Sequence, residues 1–309
     1  MQPTTLLVTV TGRDRPGVTA VIFAALAAHD VDVRDVVQTT NGKRAQLAIL
    51  IDLRGDSAAL RHSVASTAKA FGVESQVIAA GQDAHVVHST RRPRSRPGRS
   101  RAVAVGTTLR AGALGDVARR VADVGGNIES MWQSSDDTYT GVEMSLDGDT
   151  ARLRPALIAS ADETGLDMAV GPPSARIRGR RLLVLDADAT LPNARLSPRV
   201  GSFVRGAHRV GCSVVAVGRQ PSADRLAGLG LDDIVALHDV DETLRALADE
   251  QDVPVVRVLA VGNASDSSRL LAGASTAIAV DTGAARRAAA DSSGTTGFLD
   301  SVLYMLGRI

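Results

Sequence analysis

Lysine is almost missing from this chain. Only Lys43 and Lys69 are lysine, and none occurs from residue 70 to residue 309, so nearly all of the 35 basic residues are arginine. Chemistry that needs a compact ammonium beyond the first quarter must do without one, and a planar guanidinium is not its equivalent. Cysteine is limited to Cys212, which excludes an internal disulfide framework and fits a reducing cytoplasm. Aromatics make up only 2% of residues, so the cores are expected to be small-residue interiors of helix and sheet. No apolar run approaches the roughly 18 residues of a membrane span. The start, Met1 to Val10, has no basic n-region and reads as a strand rather than a signal peptide. With 35 basic and 34 acidic residues, no net charge draws the chain toward nucleic acid or membrane.

What is present is ample core material, 44% hydrophobic over 309 residues, enough for about two or three domains. The hydrophobic pattern divides the chain into three. From residue 4 to 82, an apolar strand (Leu6 to Val10) runs into the turn Gly12-Arg-Asp-Arg-Pro-Gly17 and a helix from Val18 to His29. Strands at Val31 to Val36 and Gln46 to Leu53, a helix from Ser57 to Phe71 and a strand from Glu74 to Ala79 complete a βαββαβ, ferredoxin-like order. Residues 102 to 171 repeat it, with a Gly106 to Gly112 turn before a helix starting near Ala113. Between the repeats, Arg91 to Arg101 holds six arginines and two prolines, the composition of a solvated linker. The sharper reading is a phosphate- or RNA-binding strap, but no aromatic interleaves it to stack bases.

From about residue 178, strands and helices alternate, which specifies a parallel sheet covered on both faces. Ligands bind such sheets at the carboxyl ends of the strands. There, after Leu182 to Leu185, stands Asp186-Ala-Asp188-Ala-Thr190. On an extended segment, carboxylates at i and i+2 lie on one side. Such a pair suits a Mg²⁺ site and a division into nucleophile and general acid.

With these segments and motifs in hand, the chain resembles the ACT-containing phosphoserine phosphatases of actinobacterial type, which belong to the haloacid dehalogenase superfamily. The resemblance rests on Val10 to Thr19 (VTGRDRPGVT), DADATL at 186 to 191, Val253 to Asn263, Leu270 to Val280 and Phe298 to Gly307. It implies two tandem ferredoxin-like ACT domains followed by a Rossmann-like core. The expected boundaries are 1–84 for the first ACT domain, 85–101 for the linker, 102–176 for the second ACT domain and 177–309 for the core. It also implies a homodimer through ACT sheet or helix pairing, and a free, serine-like amino acid bound at the ACT interfaces.

Carried over position by position, the resemblance makes Asp186 the nucleophile and Asp188 the general acid. It calls for a Ser or Thr where Gly218 stands, a lysine where Val240 stands, and acids where Asn263 and Ser267 stand. The metal set is thus reduced to Asp186, Asp188, Asn263 and the neighbouring Asp266, which makes Mg²⁺ doubtful. The interval from Asp188 to Gly218 holds one helix and no cap, so the pocket that closes over substrate in the family is expected to be missing.

The Gly12 to Gly17 loop is the better-kept motif. Its glycines let backbone N–H groups approach a carboxylate, and the following helix adds its positive end. Asp14 offers an acceptor for an α-ammonium and Pro16 shapes the turn. By the resemblance, Gly112 matches the loop glycine in the second unit, and Asn127 offers an amide nearby. The bland reading is a tight β–α turn. Cys212 is expected in the core, and Trp132 either at an interface or in packing. The expected function is therefore a phosphoserine phosphatase-like regulatory or pseudo-enzyme that binds an amino acid. The alternatives are an active or altered phosphohydrolase or phosphotransferase using Asp186, and a scaffold that binds protein or nucleic acid through its basic linker.

Overall fold

The computed structural model describes residues 3–81, 84–86, 99–135, 139–172, 179–191, 198–219, 221, 226, 228–280 and 298–307. The chain forms two compact units, residues 1–160 and 161–309.

The first unit holds β1 (Thr4–Arg13), α1 (Val18–Ala27), β2 (Val31–Asn41), β3 (Arg44–Leu53), α2 (Ser57–Ala70) and β4 (Val73–Ala79). Its second half holds β5 (Ser100–Gly106), α3 (Ala111–Asp123), β6 (Asn127–Ser135) and β7 (Thr140–Asp147), followed by α4 (Thr150–Thr164). The strands form one antiparallel sheet ordered β5-β7-β6-β2-β3-β1-β4. Leu6, Val8 and Val10 of β1 are buried, the period-two mark of a sheet with one covered face.

The two repeats are joined edge to edge. Val37 and Gln38 of β2 pair with Trp132 and Met131 of β6. β2 extends to Asn41 rather than stopping at Val36 because its polar end, Gln38 to Asn41, stays paired with β3, and Val37 and Gln38 pair with β6 as well. On the helical layer, α1 is apolar nearly all round, as a helix buried on more than one face must be. It packs against α3, where a side chain on Gly115 would begin 3.3 Å from the Cβ of Phe23.

Residues 91 to 98 of the arginine run lie outside the described residues. Its last members belong to the fold. Arg99 pairs with Glu129 and Asp147, and Arg101 with Glu143 at the start of β5.

The second unit holds β8 (Asp167–Gly171), β9 (Arg181–Asp186), α5 (Ala187–Thr190), α6 (Pro198–Arg209), β10 (Cys212–Gly218) and β11 (Asp233–Ala236). It continues with α7 (Val240–Glu250), β12 (Val258–Gly262), α8 (Ser268–Gly273), β13 (Thr276–Ala279) and α9 (Phe298–Leu306). The order is β11-β10-β9-β12-β13-β8, parallel from β11 to β13, with β8 antiparallel to β13. β10 and β12 are buried at every position, as strands covered on both faces are. A 3₁₀ turn at Val255–Arg257 takes the place of the start of a strand expected from Val256 to Val261, and Val255 and Val256 are exposed.

The chain leaves β9 toward β10 on one side and returns through β12 on the other. The crevice outside the ends of β9 and β12 is therefore the switch point where such sheets take ligands. The segment between β9 and β10 carries α5 and α6 among the described residues, and no cap.

Candidate functional site

At the switch point, Asp186 ends β9 and is nine-tenths buried. It does not share an extended segment with Asp188. The chain turns helical at Ala187, and the Asp186 carboxylate caps that turn, accepting from the N–H groups of Asp188 and Ala189 at 3.1 Å each. Thr190 donates to the Asp186 carbonyl. The extended i, i+2 geometry gives way to a helical turn, and each carboxylate has its own backbone partners. Asp188, exposed, reaches to the end of β10 and accepts from the Arg219 N–H at 2.8 Å. A side chain on Gly218 would begin 3.0 Å from Asp188 Oδ1.

The end of β12 is also committed. The side-chain oxygen of Asn263 accepts from the N–H and hydroxyl of Ser265 and from the N–H of Asp266, which closes a turn on itself. Buried Ser267 accepts from the Asn263 N–H at 3.1 Å. Asp266 is exposed. Among the described residues, no three acids, histidines or cysteines converge as a metal-binding group. Mg²⁺ demands an octahedral oxygen shell rich in carboxylate. A donor set of two aspartates already accepting from backbone N–H groups and an amide oxygen already accepting three hydrogen bonds does not fit it.

Val240 occupies the first turn of α7, capped by Asp239, which accepts from the Glu242 N–H at 2.9 Å. Its γ-methyl group faces Gly273, and the position carries no cation. Cys212 is buried at the start of β10, and burial pushes its thiol up against the opposing pull of Arg181.

The second constellation lies in the first unit. The loop after β1 brings Asp14 to Lys43, whose carbonyl accepts from the Asp14 N–H at 2.8 Å. Pro16 is exposed. Gly17 caps α1 in the left-handed conformation, φ +90°, which glycine adopts without strain. Asn127, first residue of β6, donates from its side-chain amide to Asp14 Oδ2 at 2.9 Å. The loop of one repeat and the strand start of the other thus meet through two polar side chains.

A small, open cleft adjoins Asp14, with an enclosed volume of about 10 Å³, room for about one water molecule. Gly12, Val18, Thr19, Gln38, Leu47 and Val73 are among its lining residues.

Family models for the ACT domain match residues 4–77 and 100–171. The phosphoserine phosphatase of Streptomyces coelicolor is 36% identical over 190 residues, 60% of this chain and 44% of that protein, so the match spans less than half of that relative. Phosphoserine phosphatase SerB2 of Mycobacterium tuberculosis is 26% identical across 98% of this chain and 93% of that protein. The chain thus carries two ACT domains and is similar to phosphoserine phosphatases along nearly its whole length. The alignment with the mycobacterial protein runs over 387 positions against 309 residues here, so that relative carries segments absent from this chain. Among solved structures, a probable phosphoserine phosphatase from Vibrio cholerae, in its unliganded form, matches at 17% identity over 60% of this chain and 79% of that one. Its TM-score is 0.33, a likeness too weak to argue from.

Within the ACT pair, Gly112 is not a loop glycine. The helix α3 begins at Ala111, so Gly112 sits in its first turn, where a side chain would meet only Ala27 at 3.8 Å. The residue that caps α3, as Gly17 caps α1, is Arg110, with ordinary φ of −85°.

Two residues passed unnoticed in the sequence. Thr19 donates to Gln38 Oε1 at 2.8 Å, and Gln38 donates to the Ile128 carbonyl at 2.6 Å. This buried relay fixes the strand beside Asn127. Its signal was a glutamine in a strand otherwise apolar on its inner face, repeated as Gln133 in the second ACT domain.

Proposed function

We propose that this phosphoserine phosphatase-like protein is an amino-acid-binding regulator whose phosphatase site no longer supports the family reaction. The observation that carries the reading is the contrast between the two constellations. At the ACT pair, a glycine-capped loop, a carboxylate and an amide are joined by a single side-chain hydrogen bond from Asn127 to Asp14, which a ligand can replace group for group. An α-ammonium takes the place of the amide on Asp14. An α-carboxylate takes the N–H groups of the loop and of the α1 start.

At the switch point the equivalent groups satisfy one another. Asp188 holds the Arg219 N–H, and Asn263 holds its own loop. Phosphoryl transfer relies on positioning and charge neutralisation. A site without the lysine, the hydroxyl and two carboxylates supplies little of either.

On this reading, residues 1–84 and 102–176 form the sensor and 177–309 the altered core. A homodimer would have to use another face, since β2 and β6 already pair within the chain. The cytoplasm is the compartment its single, buried thiol suits; among the described residues no helix is long and apolar enough to cross a membrane.

The test is phosphate release from L-phosphoserine with Mg²⁺, for wild type and Asp186→Asn side by side, together with calorimetry against L-serine. Serine binding without phosphate release supports the proposal. Turnover abolished by Asp186→Asn supports instead an active hydrolase, the reading favoured by a nine-tenths-buried Asp186 at a sheet switch point.

A further inference from the structure

The two ACT domains are related by an internal repeat, and the bulges in their strands give its register. The β2–β3 pairing skips Arg34, and the β6–β7 pairing skips Glu129. Counted from these bulges, Gln38 corresponds to Gln133, and Asn127 to Asp32. Counted from the helix caps Gly17 and Arg110, Thr19 corresponds to Gly112, and Asp14 to Thr107. The shared skeleton is intact: Gln38 donates to the carbonyl of Ile128, and Gln133 to that of Arg34 at 2.5 Å.

Every departure falls on one side. The loop before α3 carries Thr107, Thr108 and Leu109 and no acid for an ammonium. Arg110 replaces the left-handed glycine, so the successive N–H groups of a nest are not presented. Gly112 replaces the hydroxyl donor, and Gln133 Oε1 is left buried without a partner. Asp32 is held by Arg54 at 2.6 Å. Most telling, Asp32 and Arg110 form an antiparallel backbone bridge, which closes the gap that side chains span in the first copy.

We infer that each chain binds one small neutral amino acid, at the Asp14–Asn127 junction, and that the twin junction at Asp32–Arg110 binds none. This rests on the reading of the ACT pair as an amino-acid sensor. A side-chain bridge opens by rotamer change, whereas opening the twin requires breaking backbone pairing.

The limit on size comes from the pocket beside Asp14. A Cβ on Gly12 would already lie 2.6 Å from Val73, and Val10, Leu47 and Val73 are among the residues that line it. The polar atoms nearest, on Thr19 and Gln38, are engaged with each other, though the Thr19 oxygen keeps an acceptor site for a ligand hydroxyl. Glycine, alanine and serine meet these conditions; leucine and phenylalanine do not.

The experiment is calorimetry on the full chain with L-serine, glycine and L-alanine, then L-leucine and L-phenylalanine. The variants are Asp14→Ala, Asn127→Ala and Asp32→Ala, each checked for a native circular dichroism spectrum. One site per chain for at least one small amino acid is expected. Binding falls at least tenfold in Asp14→Ala and Asn127→Ala and is unchanged in Asp32→Ala. Two sites per chain, or a site that survives Asp14→Ala and disappears in Asp32→Ala, overturns the one-site inference and leaves the sensor reading standing. Equal binding of leucine overturns the size limit. No heat with any of the five removes the sensor reading, and this inference with it.

Discussion

The carboxylate of Asp188 fills the space where a side chain on Gly218 would begin, 3.0 Å from Oδ1, and accepts the next residue's N–H. The general-acid position and the missing hydroxyl position are therefore in physical competition. Gly218→Ser is expected to displace Asp188 from the Arg219 N–H, which costs about 1 kcal/mol for a partly exposed charge-assisted bond. In an Asp188→Ala background the same serine should be nearly neutral. Urea denaturation of the four proteins in the cycle measures the coupling. Equal costs in both backgrounds would show that the two positions do not interact.

Gly17 sits at φ +90° with only the Phe71 ring near, 3.7 Å from a built Cβ. Space is available, so the cost of Gly17→Ala is conformational, about 1–2 kcal/mol for an L-residue in the left-handed region. The substitution should also weaken amino-acid binding, because it turns the loop N–H groups away. A variant as stable as wild type would mean the loop relaxes out of this conformation.

Gly112→Thr should stabilise the protein. It replaces a glycine inside a helix and restores the donor that buried Gln133 Oε1 lacks, for about 1 kcal/mol together. Gly112→Ala supplies helix propensity alone and separates the two effects. Were Gly112 part of a ligand site instead, both variants would weaken binding of L-serine.

Burial raises the Cys212 thiol, so the native protein holds less thiolate than the unfolded chain above the usual thiol pKa of about 8.5. The unfolded state then releases a proton that the native state keeps, and stability falls as pH rises through that value. Below it the contribution is flat. Thiol-reactive dye should label native protein far more slowly than denatured protein at pH 8, and Cys212→Ala should remove this part of the alkaline slope. Fast labelling of native protein would place the thiol at the surface.

How far the fold and the site could be read without coordinates follows from the range of the forces involved. The βαββαβ repeats and the parallel core were legible because they rest on local periodicity: alternation in β1 and unbroken apolar runs in β9, β10 and β12. The missing lysine was legible because an absence of a residue type needs no alignment to be certain.

Other features were decided only by tertiary structure. The i, i+2 rule for Asp186 and Asp188 assumed an extended chain, and the helical turn at Ala187 broke it, since the Asp186 carboxylate had two N–H groups within reach to cap. Gly112 read as a loop glycine because composition cannot place a helix start to within two residues, and α3 begins one residue before it. The length of β2, the Asn127–Asp14 bond and the Thr19–Gln38–Ile128 relay all join residues far apart in the chain. A sequence supplies such donors and acceptors one at a time. Only when β2 and β6 pair does it become fixed which of them are satisfied by each other, and that pairing makes one ACT junction openable and leaves its twin closed by backbone.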